Sequence, residues 1–302
     1  MKKFFIIPLV LSLLFFSVAN ACDICGCGVG NFNPHMFPHL SRNFISVGYN
    51  YRYYNTHAHD EAGEDIMNKE YYNSFFLAGQ VAIGKKFQVM GILPFQSNSQ
   101  SGPEGDKSLN KIGDAIALVN YRLYDKKKNE QSRQTIIVGA GFKLPTGNHD
   151  FDDANEKEVG NANFQAGTGS MDWLLNGSYN VRMKNWAITA GATYKINTEN
   201  KADYRFGNRL LGVLQLKYIQ NAGKLSLIPN LGLNYENMQR DKSEGAVVDH
   251  TGGNNLQLTS GLDLNSQKWA VGIVYNKPVS QNLGDGYIRA MPGVSAHLSY
   301  SF

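Results

Sequence analysis

The sequence predicts an all-β protein: a transmembrane antiparallel β-barrel of about twelve strands that follows an N-terminal signal peptide. Three observations predict this fold. Apolar and polar residues alternate in short blocks, the connections between blocks are alternately short and long, and the chain ends on an alternating block that closes with an aromatic residue. Because successive side chains of a strand point to opposite faces, each block describes a strand with one apolar face.

The composition excludes two other classes of protein. Of the 302 residues, 42% are apolar and 12% aromatic, which is too many for a disordered chain. The mean hydropathy of −0.33 is too low for a protein built of membrane-spanning helices. Frequent glycine, tyrosine and phenylalanine are typical of a barrel, whose alternating strands conceal the lipid-facing surface from an average over the chain.

The N-terminus has the pattern of a secretory signal. Lys2 and Lys3 precede an apolar run over 4–18, which is shorter than a spanning helix needs, and Ala19-Asn20-Ala21 forms a small-residue cleavage site. We therefore expect a signal peptide at 1–21, a periplasmic segment at 22–43 and the barrel at 44–302. Without the two leader lysines the formal net charge falls from +4 to about +2, which indicates no nucleic-acid partner.

Twelve alternating blocks follow, each about as long as a tilted strand that crosses a bilayer. They lie at 45–53, 75–83, 87–95, 115–123, 136–144, 173–181, 186–196, 210–218, 225–235, 256–264, 269–275 and 294–302. Aromatic residues sit mostly at the ends of the apolar faces, as in the aromatic girdles of membrane barrels.

The connections provide an independent test of the barrel. Short ones are expected at 84–86, 125–132, 183–185, 220–224 and 265–268. Long polar ones are expected at 55–70, 96–111, 145–163, 197–208, 236–254 and 280–287. This sorting is the outer-membrane pattern of periplasmic turns and external loops, so the prediction is a protein of the cell outer membrane, surrounded by its lipid, with both termini periplasmic.

The last block provides a third signal. Val294, Ala296, Leu298 and Tyr300 alternate up to the terminal Phe302. This end resembles the signal by which the barrel-assembly machinery recognises outer-membrane proteins, and we expect that machinery as a partner.

If the apolar set faces lipid, the opposite parity faces the lumen, because a charge on the lipid face costs about 2–4 kcal/mol at mid-depth. The predicted basic lumen residues are Arg52, Arg122, Lys143, Arg182, Lys195, Arg209 and Lys217. The acidic ones are Asp114, Asp172, Glu236 and Asp263. The basic excess can favour anions, or the charges can form a paired ladder that holds the wall together. Apolar residues on the same face favour a narrow or plugged barrel.

The three cysteines of the chain lie together near the N-terminus, at Cys22, Cys25 and Cys27, with His35 and His39 downstream. This spacing can bring thiolates onto one soft metal such as Cu or Zn. The alternatives are a disulfide with a free or acylated cysteine, and no role at all. His57 and His59 form a weak metal candidate in the first long loop.

No catalytic constellation is apparent. His297 shares the inward parity of Ser295 and Ser299, which does not support a lipid-facing Ser–His pair. We therefore expect that the protein is not an enzyme.

Three segments resemble the outer-membrane transporter-like family called "MetA-pathway of phenol degradation": Gly-Phe-Lys-Leu-Pro-Thr-Gly at 141–147, Gly-Thr-Gly-Ser-Met-Asp at 167–172, and Ile-Gly-Asp-Ala-Ile-Ala-Leu-Val-Asn-Tyr-Arg at 112–122. Cys-Asp-Ile-Cys-Gly-Cys-Gly at 22–28 and Asp-Tyr-Arg-Phe-Gly-Asn-Arg at 203–209 resemble a Bacteroidetes-type branch of it. The resemblance implies a barrel that moves small, often hydrophobic compounds. It assigns no binding residues, and the cysteine segment departs from the broader family.

The sequence as a whole favours a channel or transporter for passive passage of a small-molecule solute. Two alternatives stay open: a copper-binding or copper-handling barrel that uses the N-terminal cysteines, and a structural or adhesive barrel without transport.

Overall fold

The computed structural model describes residues 43–59, 65–102, 106–129, 132–149 and 164–302. Regular structure in these ranges is β-strand, apart from one 3-10 turn at Gly284–Gly286. No helix within these ranges is long and apolar enough to cross a membrane.

The strands follow one another along the chain with short or loop-like connections. They are β1 (Phe44–His59), β2 (Asp65–Ile83), β3 (Phe87–Ser101), β4 (Lys107–Ile112), β5 (Ile116–Asn129), β6 (Ser132–Lys143), β7 (Asp172–Met183), β8 (Trp186–Ile196), β9 (Tyr204–Arg205), β10 (Arg209–Tyr218), β11 (Gln220–Ala222), β12 (Leu225–Met238), β13 (Lys242–Ser243), β14 (Ala246–Val247), β15 (Gly253–Asn265), β16 (Trp269–Leu283), β17 (Ile288–Ala290) and β18 (Gly293–Ser301).

The strands close into one antiparallel barrel. The pairs β4 and β5, β10 and β11, and β17 and β18 each continue one another, while β9, β13 and β14 form a small separate sheet. The ring therefore has twelve strands, as predicted. β1 closes it by pairing with β18 from Phe44↔Ser301 to Tyr51↔Val294. The rim that carries Asn43, Phe302 and the short connections is called the turn rim, and the opposite one the loop rim.

The ring is interrupted between β4 and β5, between β10 and β11, and between β17 and β18. Prolines explain these interruptions, because proline has no N–H to donate to a neighbouring strand. Pro94 of β3 lies opposite the gap between β4 and β5, where Gly113 N–H donates to the Pro94 carbonyl at 2.8 Å. Pro229 of β12 lies opposite the gap between β10 and β11. Pro292 lies in the gap between β17 and β18.

The two faces of the wall differ as the alternation predicts. Outward positions hold exposed apolar side chains, such as Ile45, Val47, Leu77, Leu93, Val119, Leu175, Leu214, Leu231 and Ile273. In β3 the outward residues are exposed and their inward neighbours are mostly buried. The fold class is thus confirmed: an all-β barrel with an apolar outer surface.

The predicted loops at 55–70 and 96–111 were wrong for much of their length, because β1 to β4 run through them. The inward positions of these strand ends carry polar residues. The alternation of apolar and polar residues is therefore lost there, although the backbone pairing continues. Thr56, Glu70, Gln96 and Asn98 are all buried on this inward face. The strands consequently reach 19 residues in β2.

Buried apolar side chains fill the interior on the side of β1 to β7. They are Phe44, Phe76, Ala78, Met90, Ile92, Ile116, Leu118 and Leu174. Gly48 makes room for one of them, since an ideal Cβ there would lie 2.0 Å from Phe76 Cζ. The ring of Phe76 can therefore lie flat along the neighbouring strand.

A buried group of charges anchors the long connection between β6 and β7. Lys143, at the loop-rim end of β6, is fully buried. Its Nζ lies 2.5 Å from Asp114 Oδ2 and 3.1 Å from Asp172 Oδ2. It also donates to the hydroxyl of Thr168, and to the Ser170 carbonyl at 2.9 Å. The ammonium is thereby surrounded by acceptors from β7, from the interruption between β4 and β5, and from the loop.

The same carboxylate of Asp114 holds the loop backbone. Its oxygens accept the N–H groups of Gly147 and Thr168, both at 2.9 Å. Gly147 and Gly167 pack closely at this point, because an ideal Cβ on Gly147 would lie 2.9 Å from Gly167 Cα. Asn200 of the next loop donates to the Thr168 carbonyl at 3.0 Å. These bonds tie two loops to the barrel wall.

Replacing Lys143 by Met is expected to destabilise the barrel by about 3–5 kcal/mol, because two buried carboxylates lose their cation. Guanidinium unfolding of the refolded protein in detergent, followed by tryptophan fluorescence, measures the free energy of unfolding. Lys201 is an exposed lysine of a neighbouring loop. Lys201→Met should change the free energy by less than about 0.5 kcal/mol. Equal effects of the two substitutions would contradict the anchoring role.

Candidate functional site

The barrel interior contains a cavity on the side away from the apolar cluster. The volume of the cavity is about 140 Å³. Its wall comes from β1, β10, β12, β15, β16 and the β17–β18 strand. The interior is therefore asymmetric, with one side packed and the other side open.

Polar side chains dominate the inward positions of the cavity wall. Charged and amide groups are Arg52, Lys217, Glu236, Asp263, Asn50, Gln215, Asn234, Asn255, Gln257 and Asn276. Tyr54, Thr259 and Ser295 add hydroxyls, while Leu211, Val213 and Val274 add apolar surface. Such a wall can hydrogen-bond water or a small polar solute while offering apolar contacts.

One row of the wall brings an acid and a histidine together. Asp263, Gly272 and His297 are cross-strand partners on β15, β16 and β18. His297 Nε2 lies 3.8 Å from Asp263 Oδ1, and Asn230 Nδ2 donates to Asp263 Oδ2 at 3.2 Å. An ideal Cβ at Gly272 would lie 2.1 Å from Asp263 Oδ1 and 2.3 Å from His297 Cε1. Glycine thus lets both side chains lie along the wall. Lys217 of β10 interacts electrostatically with Asp263.

A second apolar cluster lies at the loop-rim end of the cavity. It consists of Tyr54, Tyr72, Met238, Leu283, Ile288 and Ala290. Tyr54 and Ala290 also line the cavity, so the cluster borders the cavity at that end. Tyr54 and Tyr72 meet edge to face, with centroids 5.7 Å apart.

Buried Glu70 of β2 contacts this cluster. Tyr72 Oη donates to its Oε2 at 2.6 Å, and Thr56 Oγ1 donates to its Oε1 at 2.9 Å. The carboxylate therefore orients the ring that forms part of the cluster.

The structure distributes the predicted lumen residues over three places. Arg52, Lys217, Glu236 and Asp263 line the cavity. Asp114, Lys143, Asp172 and Lys195 belong to the buried group under the loop, where Lys195 Nζ lies 4.0 Å from Asp172 Oδ2. Arg209 lies between the two places, because it is the cross-strand partner of Lys195 and its Nη1 lies 3.1 Å from Glu236 Oε1.

The remaining two, Arg122 and Arg182, lie at the turn rim. Arg122 Nη1 lies 3.4 Å from Asp125 Oδ2, and Arg182 Nε donates to the Lys184 carbonyl at 3.3 Å. Neither belongs to the cavity wall.

Sequence reasoning missed several buried polar positions. The sequence predicts a loop at Glu70, although Glu70, Tyr72 and Ser74 all carry polar groups at alternating positions. The roles of Thr168 and Ser170 as buried partners of Lys143 carry no sequence signal, because they depend on how the loop folds back.

The proposed metal ligands Cys22, Cys25, Cys27, His35 and His39 lie outside the described residues, as does the predicted signal peptide at 1–21. Copper or zinc binding there stays a prediction. His57 is exposed at the loop-rim end of β1. Among the described residues, no three His, Cys, Asp or Glu side chains are grouped so that they could hold a metal ion.

Comparison with known proteins gives the chain a family. The model of the family described as "Putative MetA-pathway of phenol degradation" matches residues 67–268. No curated protein matches the sequence.

One solved structure shows the likeness in fold, and a second superposes more weakly. An outer membrane channel from Pseudomonas putida F1 superposes with a TM-score of 0.64 at 16% identity, covering 90% of this chain and 100% of that one. The translocator domain of autotransporter NalP from Neisseria meningitidis reaches 0.49 at 11% identity, covering 89% of this chain and 91% of that one. Identities this low indicate a common architecture only. Because the family model spans more than half of the sequence, the chain belongs to the MetA-pathway of phenol degradation family and has the fold of an outer membrane barrel.

Proposed function

We propose that the protein is an outer membrane channel through which a small solute moves down its gradient. The observation that carries this proposal is the polar cavity inside a closed barrel with an apolar outer surface. A barrel that served only as a membrane anchor would gain nothing from open space lined by amides and charges, because buried polar groups cost free energy unless they are partnered.

The solute that suits this wall is small and has both hydrogen-bonding and apolar parts. Amides and hydroxyls alternate with Leu211, Val213 and Val274 along the cavity. The family description refers to phenol degradation, which fits a small aromatic compound with a polar group. The structure from Pseudomonas putida F1, which shares the fold, is likewise an outer membrane channel.

The orientation we propose places the turn rim in the periplasm and the loop rim outside the cell. Both ends of the barrel lie at the turn rim, where Phe302 N–H donates to the Asn43 carbonyl at 3.1 Å. Short periplasmic turns and long external loops are the rule for outer-membrane barrels. The terminal strand β18, which ends next to Phe302, would then be available to the assembly machinery from the periplasm.

Obstruction of the cavity should reduce conductance. Val213 of β10 lines the cavity, whereas its neighbour Leu214 faces outward and is 50% exposed. Val213→Trp is expected to lower the single-channel conductance in planar bilayers, because the indole occupies the open space. Leu214→Trp places the same group in lipid and should leave conductance unchanged. An absence of conductance in the unmodified protein, or an equal loss in both variants, would contradict the proposal.

Basic and acidic residues of the wall should shift the ion selectivity of the channel in opposite directions. Lys217→Gln removes a cavity cation and should shift the reversal potential in a salt gradient toward cation preference. Asp263→Asn removes an acid from the same wall and should shift it toward anion preference. Lys224 lies in an exposed turn after β11, and Lys224→Gln is the matched control. Identical shifts in all three variants would show that the current does not pass this wall.

The orientation can be tested with epitope insertions. An epitope after Gly245, in the exposed connection between β13 and β14, should bind antibody on intact cells. The same epitope after Lys184, in the turn between β7 and β8, should bind only after the outer membrane is permeabilised. Labelling of the Lys184 insertion on intact cells would reverse the proposed orientation.

A further inference from the structure

Two polar side chains of the cavity wall, Asp263 of β15 and His297 of β18, lie side by side without a hydrogen bond between them. His297 Nε2 lies 3.8 Å from Asp263 Oδ1, which is beyond hydrogen-bond distance. This nitrogen is buried and has no hydrogen-bond partner among the described residues. His297 is only 7% exposed and lines the cavity. Because an unpartnered buried polar group costs free energy, the pair favours a further hydrogen-bonding group between its two members.

Neighbouring amides hold Asp263 in position. Gln215 Nε2 donates to Asn230 Oδ1 at 3.1 Å, and Asn230 Nδ2 donates to Asp263 Oδ2 at 3.2 Å. The first of these bonds fixes which end of the Asn230 amide carries the donor. Asp263 Oδ2 therefore has a partner, and Oδ1 is the oxygen on the side of His297.

The gap between the two side chains suits one oxygen atom that both donates and accepts. An oxygen at a hydrogen-bond distance of about 2.8 Å from each atom can bridge this separation. The carboxylate of Asp263 only accepts hydrogen bonds. In the tautomer that carries its proton on Nε2, His297 donates. A hydroxyl group can donate to the carboxylate and accept from the imidazole at the same time.

The charges around the pair favour a neutral hydroxyl over an ionised group. Lys217 of β10 lines the same cavity and interacts electrostatically with Asp263 and His297. A solute carboxylate at this place would be repelled by Asp263, and a solute ammonium would be repelled by Lys217. A neutral hydroxyl avoids both repulsions, and its hydrogen bond to a carboxylate is stronger than one between two neutral groups.

Apolar side chains lie beside the pair and limit the size of the solute. Val274 is two residues after Gly272 on the inward face of β16, and Gly272 is the cross-strand partner of both Asp263 and His297. Leu211 and Val213 of β10 add apolar surface to the same cavity. An apolar cavity of about 150 Å³ holds benzene. The cavity volume of about 140 Å³ therefore suits an apolar body of about one ring.

We propose that Asp263 and His297 bind the hydroxyl group of a small neutral solute whose apolar body packs against Val274. This inference rests on the proposed function, because it names the class of solute that the channel selects. The class consists of phenols and alcohols of about the size of one ring. Ionised acids and amines of the same size are disfavoured by the charges of the wall.

Fluorine NMR of the full-length protein in neutral detergent at pH 7 measures binding without requiring transport. 4-Fluorophenol is neutral at this pH, because phenols ionise near pH 10. 4-Fluoroanisole has the same ring with a methyl ether in place of the hydroxyl. We expect 4-fluorophenol to bind about tenfold more tightly than 4-fluoroanisole. It should also bind more tightly than the anion 4-fluorobenzoate and the cation 4-fluorobenzylammonium.

Substitutions in the wall should affect the phenol alone. Asp263→Asn should weaken 4-fluorophenol binding about tenfold and leave 4-fluoroanisole binding unchanged, which shows that the cavity is intact. His297→Phe keeps a ring at this position and should weaken 4-fluorophenol binding severalfold. The matched control is Asp203→Asn, in an exposed turn at the loop rim where φ is 53°, a conformation that asparagine tolerates. This control should change neither dissociation constant.

Equal binding of 4-fluorophenol and 4-fluoroanisole, tighter binding of either charged compound, or no effect of the two wall substitutions would overturn the proposal. Single-channel recordings on the same preparations separate this result from the proposed function. A protein that conducts but does not distinguish the phenol from its ether contradicts the hydroxyl site alone. A protein that binds the phenol selectively but does not conduct contradicts the channel and supports the site.

Discussion

The structure depends on one constraint: in lipid, each backbone N–H and C=O group must find its hydrogen-bond partner within the protein. The pairing of β1 with β18 meets this requirement by removing the two free edges. Two prolines of the ring, Pro94 and Pro229, lie where the neighbouring strand is interrupted. Closure then imposes an inside and an outside on every strand, and the two faces carry different chemistry.

The inward face is used in two different ways. Under the loop rim, Lys143 forms ion pairs with Asp114 and Asp172, and these groups hold the connection between β6 and β7. The segments at 112–122, 141–147 and 167–172, which resemble the family, each contribute residues to this anchor. Across the barrel, Asp263 and His297 lie along the wall over Gly272 and leave space in front of them. Open volume thus coexists with a firmly anchored loop.

The sequence predicted the fold well because strand alternation is local. The barrel, its twelve strands and its outward face followed from blocks such as 87–95. Alternation failed in the loop-rim half of β2, where inward residues such as Glu70 are polar and the apolar period is lost. The position of Lys143 on the inward face was readable, but its partners were not, since they depend on the register of three strands and a returning loop. Pro94, Pro229 and Pro292 were signs in the sequence that strands are interrupted at these levels.

The most direct test of a passage through the barrel is the access of a charged, water-soluble thiol reagent to the cavity wall. Ser295→Cys, in a background in which Cys22, Cys25 and Cys27 are serine, places one thiol on that wall. If solutes cross the barrel here, the reagent should modify this cysteine and lower the conductance of single channels in steps. A conducting protein whose current is unaffected, with the cysteine left unmodified, would contradict the account.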